Sequence, residues 1–177
     1  MRLFIAIALP KNIKQELAKF QKQLIQHAAS GRYVSKDNFH LTLHFIGECK
    51  DLSGVVSAIA QCVRGLRPFS LHLGQYGYFD RSGKKTAYAT LCGDLDELNN
   101  LYESLQSAMS DYGFRPERKQ FKPHITLARN VEQTSAQAVL MQNCSLEGSF
   151  LVNAIHLYES RQEHDATVYT SLHRQPI

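Results

Sequence analysis

Apolar residues follow two periods along this chain, and the alternation between them sketches its elements. Leu3 to Leu9 is an almost continuous apolar run ending at Pro10, as in a buried strand. Ile13, Leu17, Phe20, Leu24 and Ile25 then recur at helical spacing, predicting a helix from about Pro10 to about His27 with proline at its first turn. An extended piece around Tyr33 and Val34 precedes a strand over Phe39–Ile46 that Gly47 closes, and a second helix covers about Leu52–Arg64. Phe69–Phe79 and Lys85–Leu91 read as paired antiparallel strands around an Asp-Arg-Ser-Gly-Lys loop. Asp94, with Glu97 three residues on, predicts a capping box for a third helix that runs to Tyr112 and stops at Gly113. A strand over Ile125–Arg129, a weak helix near Ser135–Met141, a strand over Phe150–Glu159 and a final strand from about Thr167 to His173 complete the reading.

Strands and helices are mixed without strict alternation, which favours an α+β fold with antiparallel sheets over a doubly wound parallel sheet. With 177 residues, 44% of them hydrophobic, and no linker-like segment, positions 1–177 suffice for one domain or two small lobes on a shared core. The net charge of +4 permits a phosphate-bearing partner without requiring one. Cys49, Cys62, Cys92 and Cys144 include no close pair, so they read as reduced thiols. No apolar stretch nears the roughly 20 residues that span a bilayer. The expectation is a cytoplasmic, membrane-free monomer.

One short pattern occurs twice. Phe39-His40-Leu41-Thr42-Leu43 returns as Pro123-His124-Ile125-Thr126-Leu127, each after an amphipathic helix, so the chain reads as two related lobes. Side chains alternate along a strand, which puts each histidine and its threonine on one face and anchors them by aliphatic residues on the other. If the lobes face each other, two imidazoles and two hydroxyls converge on a cleft. That set suits displacement at phosphorus: a neutral imidazole takes a proton from water, a charged one gives a proton to the leaving oxygen, and the hydroxyls hold phosphate oxygens. Arg129 is the candidate cation, because its planar fork matches phosphate. No step needs a metal or another cofactor, and no histidine lies in a cluster with metal-ligand spacing. Strict alternation places His44 beside His40, at the rim of the cleft, and turns Phe45 to the opposite face. His72 and His156 read as polar-face residues, Lys122 and Arg118 as solvated surface, and Tyr76, Tyr78 and Phe79 as sheet packing.

The segments Asn38 to Glu48 and Phe121 to Arg129 resemble the paired signatures of the two-histidine (2H) phosphoesterase superfamily, in particular its bacterial RNA 2',3'-cyclic phosphodiesterase, or 2'-5' RNA ligase, branch. Arg2 to Ile7 and Leu157 to Ser160 fit the same branch, so the likeness spans nearly the whole chain. It implies a bilobal fold with a central cleft and hydrolysis of RNA 2',3'-cyclic phosphate ends to 2'-phosphomonoesters. It also implies that His40 donates a proton to the leaving 3' oxygen, an order the residue pattern leaves open, and that His124 accepts one from water. Thr42, Thr126 and Arg129 would bind phosphate, and Phe45 would stack on a base, against the alternation argument. Tyr33 and Ile46 depart from the family pattern and bear only on base contacts.

Other readings remain from the sequence. The same histidines run in reverse would join RNA ends through a 2'-5' linkage, and 2',5'-linked oligonucleotides or ADP-ribose cyclic phosphate are alternative substrates. A single-strand RNA-binding module without catalysis would present exposed aromatics and would not need paired histidines.

Overall fold

The computed structural model describes residues 1–27, 30–81, 84–117, 120–132, 134, 146–164 and 166–177. The expected helix at Ser135–Met141, the thiol of Cys144 and the charge of Arg118 lie outside the described residues. In chain order the elements are β1 (Arg2–Ala8), α1 (Lys11–Gln26), β2 (Ser30–Tyr33), a 3-10 turn (Lys36–Asn38), β3 (His40–Glu48), α2 (Leu52–Cys62), β4 (Phe69–Arg81), β5 (Lys84–Gly93), α3 (Leu95–Asp111), β6 (His124–Glu132), β7 (Ser149–Val152), β8 (Ala154–Glu163) and β9 (Ala166–Pro176).

The fold is α+β, and the two halves share one sheet. Its order is β7-β4-β5-β6-β3-β1-β8-β9, with β2 paired to β6. Every pairing among the described residues is antiparallel. The two motif strands, β3 and β6, are neighbours at its centre, joined where Leu41 opposes Ile125. In each half a strand leads through a helix to the motif strand it pairs with: β1, α1, β3 in one and β5, α3, β6 in the other. This is the internal repeat in three dimensions. The lobes meet edge to edge, so the motif side chains converge along a common face and not across facing sheets.

Apolar stripes explain where the helices sit. Ile13, Leu17, Phe20 and Leu24 of α1, Val55, Ala58 and Ile59 of α2, and Leu98, Leu101, Leu105 and Met109 of α3 join Leu41, Leu43, Ile125 and Leu127 in one buried cluster. Burying those four strand residues fixes the opposite face of β3 and β6 toward the cleft. Two local expectations change. Asp94 does not close a capping box; its carboxylate accepts from the Ser70 N–H at 2.8 Å, tying α3 to β4. The expected strand over Phe150–Glu159 breaks at Asn153 into β7 and β8, which pair with β4 and β1 in opposite halves of the sheet.

Candidate active site

Each motif strand carries the same irregularity. Ile5 pairs with His44 and the next residue, Ala6, with Thr42, so Leu43 is an extra residue in β3. Ala87 pairs with Ala128 and Tyr88 with Thr126, so Leu127 is extra in β6. A bulge of this kind resets the side-chain alternation. Its consequence is plain in β3: Leu43 and His44 are both buried, His44 only 2% exposed, and Phe45 emerges at 58%. In β6, Leu127 and Ala128 are likewise both buried, and Arg129 emerges. Phe45 and Arg129 are each the fifth residue after their histidine, and the bulge turns both toward the cleft face. His44 is therefore not a rim residue: its Nδ1–H donates to Gln106 Oε1 at 3.0 Å inside the fold.

His40, Thr42, Phe45, His124, Thr126 and Arg129 line one cavity of about 390 Å³. With Leu41 opposite Ile125, the antiparallel register sets His40 alongside Thr126 and Thr42 alongside His124. The two imidazoles are held alike. His40 Nδ1–H donates to the Asn38 carbonyl, and His124 Nδ1–H to the Lys122 carbonyl, both at 2.6 Å and both two residues upstream. A carbonyl only accepts, so Nδ1 carries the hydrogen in each ring and Nε2 is the atom left for proton exchange. On His40, Nε2 accepts from the Thr42 hydroxyl at 3.0 Å. Aromatic rings flank each imidazole: Phe4 at 4.9 Å and Tyr169 at 5.2 Å beside His40, Phe79 at 4.9 Å and Tyr88 at 5.6 Å beside His124.

This packing has an electrostatic cost. Burial pushes His40 down to about 4; its hydrogen bond to the Asn38 carbonyl opposes the shift, and the charges of Arg129, Lys14 and His124 add to it. Burial also lowers His124, opposed by its bond to the Lys122 carbonyl and assisted by Arg129. Both rings are thus held neutral near pH 7. Such a pair needs an anion beside it to charge one member, as a bound phosphate would.

The remaining walls were not foreseen. Phe79, expected to pack in the sheet, and Lys122, expected on solvated surface, both line the cavity, with Thr86, Tyr102, Glu117, Gln120 and Phe121. Phe121 stacks on Tyr102 at 4.0 Å between ring centres. His72 is exposed, as alternation suggests, and His156 Nδ1 lies 3.1 Å from the Ser171 hydroxyl, away from this cavity. Among the described residues, no three of His, Cys, Asp and Glu are grouped to hold a metal ion, and no helix is long and apolar enough to cross a membrane. Cys49, Cys62 and Cys92 are free thiols.

Paired His-x-Thr strands, bulged alike and joined at the centre of one antiparallel sheet, define the class of two-histidine phosphoesterases. Within that class the chain belongs to the 2'-5' RNA ligase superfamily, whose pattern matches residues 9–164. It is 34% identical over 131 residues to the RNA 2',3'-cyclic phosphodiesterase of Thermotoga maritima, covering 73% of this chain and 70% of that one. The Escherichia coli RNA 2',3'-cyclic phosphodiesterase is 31% identical over 175 residues, 98% of this chain and 94% of that protein. The crystal structure of E. coli LigT complexed with 3'-AMP superposes with a TM-score of 0.80 at 28% identity, covering 99% of this chain and 97% of that one.

Proposed function

We propose that this protein hydrolyses 2',3'-cyclic phosphate ends of RNA to 2'-phosphomonoesters, without a metal or other cofactor, as a cytoplasmic monomer in which residues 1–177 work as one bilobal domain. The observation that carries the reading is the matched pair of imidazoles in one cavity, each with Nδ1 tied to a backbone carbonyl and Nε2 reserved for protons. The names of the relatives point to the same substrate.

In this reading His124 Nε2 takes a proton from water as the water oxygen attacks phosphorus. The bond from phosphorus to O3' breaks, and His40 Nε2–H delivers its proton to the departing oxygen. The 2'-phosphate and a 3'-hydroxyl remain, and the histidines return to their starting charges by exchange with solvent. His40 gains its proton when the phosphate anion enters, because the anion offsets the charge of Arg129 and stabilises an imidazolium in a poorly solvated site. The substrate also breaks the bond from the Thr42 hydroxyl to His40, freeing Thr42, with Thr126, to donate to the non-bridging oxygens. Arg129 balances the charge that grows on those oxygens. Phe45, exposed at the cavity edge, stacks on the terminal base.

The test is an oligoribonucleotide with a 2',3'-cyclic end, incubated in EDTA with the wild type, His40→Ala and His124→Ala, with the product phosphate identified. Formation of a 2'-phosphate by the wild type, slowed about 100-fold or more in either variant, is expected. A cyclic end left intact by a wild type that still binds the strand would reject hydrolysis and favour an RNA-binding module.

A further inference from the structure

An anion-binding cavity gains nothing from a carboxylate, yet Glu117 lines this one. Its placement is built rather than incidental. The Glu117 N–H donates to Gln106 Oε1 at 2.9 Å, the same oxygen that accepts from the inward-turned His44. At the other end of the residue, Glu117 Oε1 accepts from the Phe45 N–H at 3.2 Å. Backbone and carboxylate are thus both fixed, one to α3 and one to β3, and among the described residues Glu117 Oε2 takes no hydrogen bond at the cavity wall.

The sheet also says which end of the cleft this is. From the Leu41 and Ile125 pair, Phe45 lies four residues along β3 and Arg129 four residues along β6, and the strands run in opposite directions. At about 3.3 Å per residue, their backbones depart from the centre by roughly 13 Å each, to opposite sides. Phosphate is drawn to the centre and the Arg129 side. The Phe45 side, where the carboxylate would repel a phosphate, is left for an uncharged group that donates hydrogen bonds.

We infer that Glu117, beside the stacking ring of Phe45, reads the Watson–Crick edge of the terminal base and selects guanine. Guanine presents two adjacent donors on that edge, the ring N1–H and the exocyclic N2 amine, which match the two oxygens of a carboxylate. Adenine and cytosine pair one amine with a ring acceptor, and uracil places a single N–H between two carbonyls, so each would set an acceptor against Glu117. The inference rests on the hydrolase reading for the location of the terminal nucleotide, and it deepens that reading by giving the site a base preference.

The experiment compares kcat/KM for short oligoribonucleotides whose cyclic ends carry guanosine, inosine, adenosine, cytidine or uridine, with the wild type and Glu117→Gln. Glutamine keeps an oxygen to accept from the Phe45 N–H but replaces the other oxygen by an amide donor. The wild type is expected to prefer guanosine over inosine, and over the other three, by about tenfold or more, chiefly in KM, and Glu117→Gln to abolish that order. Calorimetric titration with 3'-GMP, 3'-IMP and 3'-AMP gives the same comparison without turnover, so a protein that fails to hydrolyse cyclic ends still decides the matter. Equal use of all five ends with equal affinity for the three nucleotides, or a guanosine preference that survives Glu117→Gln, would overturn the assignment.

Discussion

Turnover of a cyclic phosphate in this cleft should weaken as the solution becomes alkaline, because the acid has to come from a ring that burial keeps neutral. His40 is pushed down to about 4, and His124 also lies below its ordinary value. With His40 as the acid and His124 as the base, as proposed, the competent free protein has His40 charged and His124 neutral. Above both values, that fraction falls about tenfold with each pH unit, and with His40 near 4 it is roughly one molecule in a thousand at pH 7. A plot of log kcat/KM against pH should therefore descend with a slope of about −1 between pH 7 and pH 9, its optimum on the acid side of the ordinary histidine value. The saturated enzyme behaves differently, because the bound phosphate raises the acid, so the profile of kcat should sit at higher pH than that of kcat/KM. Initial rates on a dinucleotide with a cyclic end, at low and at saturating concentration and constant ionic strength, provide both curves. A kcat/KM that stays level from pH 7 to pH 9 would refute the premise that a buried, uncharged His40 must be protonated for the reaction.

The same burial predicts an acid-labile fold. Unfolding lets His40 bind a proton more readily, so its contribution is fully favourable above about pH 6.5 and is lost as pH falls toward about 4, by roughly 3 kcal/mol from a shift of this size. Urea midpoints at pH 7 and pH 4 should differ less in His40→Asn than in the wild type, and equal differences would exclude His40 as a source. Replacing Gln106 by Leu strands two donors, the His44 Nδ1–H and the Glu117 N–H, so stability at pH 7 should drop by about 1–3 kcal/mol with an unchanged denaturant slope; a midpoint equal to the wild type's would contradict this. Arg129→Ala should lower kcat/KM by about 100-fold, with Arg129→Lys recovering part of the loss because lysine supplies the charge without the fork. Equal rates in all three proteins would remove Arg129 from the phosphate site.

What the linear chain determined is local and periodic. The duplicated His-x-Thr, with leucine or isoleucine at alternate positions, was enough to place His40, Thr42, His124 and Thr126 on polar strand faces, because burial of Leu41 and Ile125 leaves those side chains no other direction. Helical stripes such as Ile13, Leu17, Phe20 and Leu24 were legible for the same reason. Residues further along each motif were not. His44 and Phe45 exchange faces because of the extra residue at Leu43, and a bulge is a property of how β3 pairs with β1, which alternation within β3 does not encode. The split at Asn153 is similar: one uniform β-forming run serves opposite halves of the sheet, since its partners, β4 and β1, are far away in sequence. The rings around the histidines, and Glu117 against Phe45, come from segments with no shared spacing to reveal them. Periodicity thus assigns a face to a side chain as long as the strand stays regular; only long-range pairing decides where that regularity breaks and which distant residues close the site.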